Sequence, residues 1–282
     1  MNNMTALVSC FVRAYHTENS NIKVYNDAFA SKILTKEEYF NIASNMTSGI
    51  KFFNPNYEGD EPLKWIVNNN IGPSVLARAA FNEKHLFNDI KLGLEQYVII
   101  ASGYDTIGYK VNKKIKVFEL DKKEIIEDKI KRTKNFDNEN ISYISCDFNE
   151  NWILDLLNSG YDKNKKTFCS LLGISYYLPK STFSKTIKLL SDNMPKGSSI
   201  IFDYPNEYKE TKTEELAKLA NEEMKSNYSY DEILKIAELS NMQIYEHLES
   251  VHIDNTYFYD YNTLNTIKLK APKGVSYCLL VK

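Results

Sequence analysis

From residue 97 onward the chain alternates short apolar runs with amphipathic stretches, and this alternation constrains the fold more than any other feature of the sequence. Residues 97–101 (Tyr-Val-Ile-Ile-Ala) are bounded by Ser102 and Gly103, the pattern of a strand buried on both faces. Residues 115–120 and 143–146 read as the next two strands. Between them a helix is expected over 122–134, with Glu127/Lys131 and Asp128/Arg132 spaced i, i+4. A strand over 167–172, a helix over 180–192 and a strand over 197–203 follow, and residues 242–247 and 275–281 bring the strands to seven. Capping boxes at Thr35/Glu38, Thr211/Glu214 and Ser229/Glu232 mark helix starts. Strands alternating with helices predict an α/β fold, a mainly parallel seven-stranded sheet with helices on both faces. Ligands bind such sheets beyond the carboxyl ends of the strands.

The first third has a different period. Leu7, Val8, Phe11, Val12 and Tyr15 lie on one helical face, residues 75–87 continue the helical pattern, and Pro62 and Pro73 sit where helices begin. Residues 1–94 are therefore expected to form a helical cap and residues 95–282 a ligand-binding core, with a lid insertion near 204–228. A net charge of −2 argues against a nucleic-acid partner, because phosphate neutralisation needs a basic excess. Cys10, Cys146, Cys169 and Cys278 include no Cys-x-x-Cys pair, and the four histidines show no metal-ligand spacing, so no metal site is expected. No apolar run reaches 18 residues and the N-terminal stretch lacks a basic leader, so a cytoplasmic protein without a membrane partner is expected.

The expected strand ends carry the candidate site. Gly103 lets backbone approach a ligand, and Glu119, placed at the end of the second strand, could accept ribose hydroxyls. Asp147 and Phe148 follow the third strand and could hold an adenine, although Asp147 could equally cap a helix. Three successive strand ends of this kind suit an adenosine ligand. A dinucleotide site would need Gly-x-Gly-x-x-Gly, but Ala101 and Thr106 occupy the other glycine positions, and no phosphate-binding Gly-Lys-Ser/Thr loop follows a strand. An acidic loop containing Asp105 fits a cationic amino-acid end better, which points to S-adenosyl-L-methionine. Two rivals stay open: an NAD(P)-linked oxidoreductase on a similar sheet, and a non-catalytic protein that binds an adenosine ligand.

In order along the chain, these residues resemble the leucine carboxyl methyltransferase family, which includes polyketide O-methyltransferases. The resemblance is carried by Arg13-Ala14 with Asp27-Ala28-Phe29-Ala30, by Arg78-Ala79-Ala80-Phe81, by residues 101–106 (Ala-Ser-Gly-Tyr-Asp-Thr), by Phe118-Glu119-Leu120-Asp121, by Cys146-Asp147-Phe148, and by residues 173–178 (Gly-Ile-Ser-Tyr-Tyr-Leu). Ile107 and Leu172 depart from the family pattern, which has arginine and glutamate there. The resemblance implies a class I, Rossmann-like methyltransferase fold and S-adenosyl-L-methionine as cofactor. It further implies Arg78 on the cofactor carboxylate, with Ala101, Ser102, Gly103, Asp105, Glu119, Leu120, Asp147, Phe148 and Leu172 around the rest. Methyl transfer to an oxygen of a small-molecule acceptor is the implied reaction. A carboxylate acceptor needs no general base, whereas a hydroxyl needs one within hydrogen-bond reach. The candidates for that base are His16, Tyr15, Tyr176 and Tyr204.

Overall fold

The computed structural model describes residues 4–206 and 224–282. The Thr211/Glu214 capping box and most of the expected insertion lie outside the described residues. Seven strands form one sheet: β1 Gln96–Ile100, β2 Lys116–Asp121, β3 Ile141–Ser145, β4 Thr167–Leu171, β5 Ser199–Pro205, β6 Gln243–Leu248 and β7 Val275–Val281. Their spatial order is β3-β2-β1-β4-β5-β7-β6. β1 to β5 pair in parallel, and β7 runs antiparallel to both β5 and β6. The mainly parallel sheet expected from the alternation is the sheet observed. Its order reverses between β1 and β4, the switch point at which sheets of this kind bind ligands.

The longer helices are α1 Met4–Asn19, α2 Lys36–Ser48, α3 Gly72–Lys91, α4 Lys123–Arg132, α5 Trp152–Asn158, α6 Lys180–Asp192 and α7 Tyr230–Leu239. Thr35 caps α2 and Ser229 caps α7 through reciprocal boxes with Glu38 and Glu232. A short helix, Pro62–Ile66, enters α3 through a π-turn at Val67–Ile71. Gly72 permits this widened turn, since a Cβ there would sit 2.4 Å from the Val67 carbonyl oxygen.

The sheet separates two apolar layers. Val98, Phe118, Trp152, Phe183, Phe202 and Leu280 pack on the face covered by α5, α6 and α7. Tyr97, Ile99, Val117, Phe168 and Ile201 pack on the other face with Ala77, Phe81 and Leu86 of α3. A third cluster joins α1, α2 and the start of α3 through Phe11, Val12, Ile42, Val67 and Leu76, and it takes in Tyr104 from the loop after β1. Among the described residues no helix is long and apolar enough to cross a membrane, and no group of three metal-ligating side chains is found.

Candidate functional site

The loop after β1 is held from two sides. Ala101 and Gly103 both have positive φ, 53° and 46°, which folds the chain back on itself at the strand end. A Cβ at Gly103 would stand 3.4 Å from the Ala6 Cβ on α1. The Ser102 N–H donates to the Leu120 carbonyl at 3.0 Å, while the buried Ser102 hydroxyl has no hydrogen-bond partner among the described residues. On the cap side, Arg13 donates to Asp27 at 2.8 Å and to the Tyr104 carbonyl at 2.6 Å. Asp27 in turn accepts from the Thr106 hydroxyl at 2.6 Å. Burial raises the Asp27 pKa, but Arg13 and Thr106 outweigh it and hold the carboxyl below the usual range. Asp105 accepts from the Ile107 N–H at 2.9 Å, which starts a 3₁₀ turn at Ile107–Lys110.

The second strand corrects one expectation. β2 runs to Asp121, so Glu119 is not its end. Glu119 pairs with Ile99 on one side and Tyr143 on the other, well inside the sheet. Its carboxylate is 0 % exposed and lies 2.5 Å from the equally buried Lys129 ammonium. Burial pushes its pKa up to about 7, with Lys129 pulling the other way. The carboxylate at the strand end is Asp121, which accepts the Gly103 N–H at 2.7 Å and the Lys122 N–H at 2.7 Å. Burial raises its pKa against those two hydrogen bonds. The apolar run stops at Leu120, which misplaced the end by one residue. Leu120 itself is fully buried in the core.

At the third strand end Asp147 is exposed and turns back on the Asn149 backbone and side-chain amides at 2.9 and 2.8 Å. It forms a turn and does not cap the following helix, which begins at Trp152. Phe148 is half-buried, edge-on to Trp152 at 5.8 Å.

The fourth and fifth strand ends converge on α3. The Arg78 guanidinium lies against Gly173, two residues beyond β4, where a Cβ would meet Nη1 at 2.7 Å. Gly173 has φ of 68° and follows the half-buried Leu172. Asp203 of β5 receives the Gly173 N–H at 2.6 Å and the Tyr176 hydroxyl at 3.0 Å, and Arg78 Nη1 lies 3.5 Å from its Oδ2. Burial works against the Arg78 charge, yet Asp203 and the nearby tyrosines hold its pKa above the ordinary value. The sequence signal for Asp203 is an acidic residue set in the apolar run of β5.

The proposed bases are largely committed elsewhere. His16 is buried, accepts the Val24 N–H on Nε2 at 3.0 Å and contacts the Ser20 hydroxyl through Nδ1 at 3.1 Å. Burial lowers its pKa to about 4. Tyr204 lies inside β5, facing the layer opposite to Asp203, with its hydroxyl 2.7 Å from His247 Nε2. Tyr176 donates to Asp203, and burial together with that carboxylate keeps its phenol pKa well above the usual value. Tyr15 is half-buried on α1, stacked on Phe11.

The profile of the leucine carboxyl methyltransferase family matches residues 6–191. YktD of Bacillus subtilis, assigned to the S-adenosyl-L-methionine-dependent methyltransferases, is 34% identical over 277 residues, covering 90% of this chain and 91% of that protein. The chain belongs to the leucine carboxyl methyltransferase family. A Mycobacterium marinum protein with the same assignment is 25% identical over 136 residues, 46% of this chain. The fold is shared with a DUF574 family protein of Streptomyces avermitilis, at a TM-score of 0.59, 14% identity and 97% coverage of both chains. It is shared also with a magnesium protoporphyrin IX methyltransferase of Synechocystis solved with S-adenosylhomocysteine bound, at a TM-score of 0.50, 10% identity and 86% and 98% coverage. As a leucine carboxyl methyltransferase family member, the chain is an S-adenosyl-L-methionine-dependent methyltransferase, which sets aside the NAD(P)-linked reading. The family match covers the cap, the β1 loop and α3 with Arg78, and ends before Asp203.

The residues present fit that cofactor. The buried Ser102 hydroxyl has no partner among the described residues, Asp121 puts a carboxylate at a strand end, and Arg78 puts a half-buried cation beside Gly173, a donor set whose chemistry is compatible with the polar groups of such a ligand.

Proposed function

We propose that this methyltransferase acts on a carboxylate oxygen of a small-molecule acceptor, giving a methyl ester. What carries this reading is the state of the candidate bases. His16 spends both ring nitrogens inside the cap, Tyr204 is tied to His247, Tyr176 is a hydrogen-bond donor to a carboxylate, and Tyr15, half-buried against Phe11, has its phenol pKa raised by burial. A hydroxyl acceptor would need a base to take its proton, whereas a carboxylate is already ionised at neutral pH.

The bound cofactor supplies an electrophilic methyl group on a sulfonium. The chain's part is to bind, orient and exclude water, and alignment of this sort is worth about 7–11 kcal/mol. Arg78 would take the cofactor carboxylate, Asp121 the ribose hydroxyls, and Asp147 with Phe148 the adenine. Ala101, Ser102, Gly103 and Asp105 would line the loop beneath, and Leu172 the wall leading to Gly173. The four free cysteines suit a reducing cytoplasm.

The test uses cofactor labelled in the methyl group and a panel of carboxylic acids and phenols. Methyl esters release volatile methanol in mild alkali, and methyl ethers do not. An alkali-labile product, with a rate flat between about pH 6 and 9, is expected. An alkali-stable product would sink the carboxylate assignment.

A further inference from the structure

Asp203 lies beyond the segment matched by the family profile, and its side chain is 0 % exposed. A carboxylate in that position needs partners. Its two short hydrogen bonds come from neutral donors, the Gly173 N–H at 2.6 Å and the Tyr176 hydroxyl at 3.0 Å. The cation stands further off, with Arg78 Nη1 at 3.5 Å. A guanidinium has five N–H donors. Among the described residues Arg78 makes this one hydrogen bond, and its side chain keeps 19% exposure. The carboxylate is thus pinned from below by groups that carry no charge, and it faces the cation without saturating it.

Gly173 completes the arrangement. Its backbone N–H fixes Asp203, while its missing Cβ leaves the space that the Arg78 guanidinium fills. Ser175 ties the same turn to β5, donating from its hydroxyl to the Asp203 carbonyl at 2.6 Å. The segment returning to the core at residues 225–228 is attached here too, since the Lys225 N–H donates to the Tyr176 carbonyl at 2.7 Å and the Tyr228 N–H to the Pro205 carbonyl at 2.8 Å.

We propose that Asp203 is a positioning residue for cofactor binding, held in place by Gly173 and Tyr176, that orients Arg78 over Gly173 so that its remaining donors meet the cofactor carboxylate. The inference rests on Arg78 as the carboxylate anchor. Asp203 does not touch the ligand; it acts through Arg78. Its substitution therefore affects the amino-acid end of the ligand and leaves the adenosine end alone.

Calorimetric titration of the full chain with S-adenosylhomocysteine and with 5′-methylthioadenosine, which lacks the amino-acid end, tests this. Asp203→Asn is expected to weaken S-adenosylhomocysteine at least tenfold and methylthioadenosine less than twofold. In an Arg78→Gln background Asp203→Asn should change neither ligand further, because coupled residues are not additive. Equal loss for both ligands, or unchanged or tighter S-adenosylhomocysteine, overturns the proposal. So does a full additional loss in the Arg78→Gln background. If Asp203→Asn does not fold, Tyr176→Phe carries the test with the same ligand selectivity at roughly threefold, and an unchanged ratio overturns it. A wild-type chain that binds the two ligands equally refutes the anchor at Arg78 itself, which separates that failure from a failure of Asp203.

Discussion

Replacing Asp27 by asparagine should both destabilise the chain and loosen the loop after β1, on which the proposed cofactor site rests. The carboxylate is fully buried and accepts from Arg13 at 2.8 Å, Thr106 at 2.6 Å, and the backbone N–H groups of Phe29 at 3.2 Å and Ala30 at 3.1 Å. Asparagine has nearly the same shape but no charge, so Arg13, with 9% side-chain exposure, loses its counter-ion. Removing one partner of a buried pair costs about 3–5 kcal/mol. At about 2–4 °C per kcal/mol for a chain of this size class, Tm should fall by roughly 6–20 °C. Scanning calorimetry at pH 7 measures this. The Asp27 pKa is lowered in the fold, so its stabilisation is present above the ordinary value of 3.8 and is lost as pH falls through its folded value. The gap between wild type and variant should therefore stay constant from about pH 5 to 8 and close only in stronger acid. Because Thr106 and the Tyr104 carbonyl hang from the same pair, S-adenosylhomocysteine binding, measured below the variant's Tm, should weaken about tenfold, or 1.4 kcal/mol. An unchanged Tm together with unchanged affinity would show that the Arg13–Asp27 pair does not hold the loop.

Gly173→Ala places a Cβ where Arg78 now sits and forces a left-handed backbone on alanine. A stability loss of about 1–2 kcal/mol in denaturant titration is expected, with S-adenosylhomocysteine affinity down at least tenfold as the guanidinium is displaced. Glu119→Gln and Asp121→Asn separate the two carboxylates of β2: calorimetry should show ligand affinity within about twofold for the first and at least tenfold weaker for the second, one factor of ten being 1.4 kcal/mol. His16→Gln should leave the pH profile of methyl transfer unchanged. Burial lowers the His16 pKa from 6.5 to about 4, so its stabilisation is present above pH 6.5 and erodes as pH falls towards 4. The variant should therefore lose stability less steeply across that window.

The layered sheet was legible because periodicity is local. α6 at Lys180–Asp192 and β7 at Val275–Val281 have the bounds that the apolar pattern predicts, and the capping boxes expected at Thr35 and Ser229 are both observed there. The sequence offers α5 only as a helix that Asp147 could cap, and it begins instead at Trp152, since seven residues after Asn-Glu-Asn are too few to display a period. The site was less legible because its contacts are not local. Arg78 and Asp203 are 125 residues apart in sequence, and Arg13 reaches Tyr104 across 91. Glu119 shows the limit most clearly. Glu119 and Asp121 are both acidic and both near a strand end, so composition cannot rank them. What ranks them is the ladder: β1 pairs with β2 no further than Leu120, so Asp121 has β3 on one side and the Gly103 turn on the other.

The same wiring bears on what the helical first third is for. A boundary near residue 94 follows the change of period, but the hydrogen bonds cross it. α3 lays Ala77, Phe81 and Leu86 on the sheet and carries Arg78 to Asp203 of β5. α1 sends Arg13 to the loop after β1, and Asp27 fixes Thr106 at the far end of that loop. A cap that merely covered the acceptor would need no such contacts, because it would touch the core at the rim. Here the cap supplies the cation of the proposed cofactor site and clamps the loop on which the ligand would rest. The two positive-φ residues at 101 and 103 are turns that a free loop leaves readily, so their geometry depends on being held at both ends. On the proposed reading, residues 4–94 form part of the binding site rather than a lid on it. Two contacts join them to the core: the buried Arg13, paired with Asp27 of the same segment, reaches the Tyr104 carbonyl while Asp27 takes the Thr106 hydroxyl, and the half-buried Arg78 meets the buried Asp203 of β5.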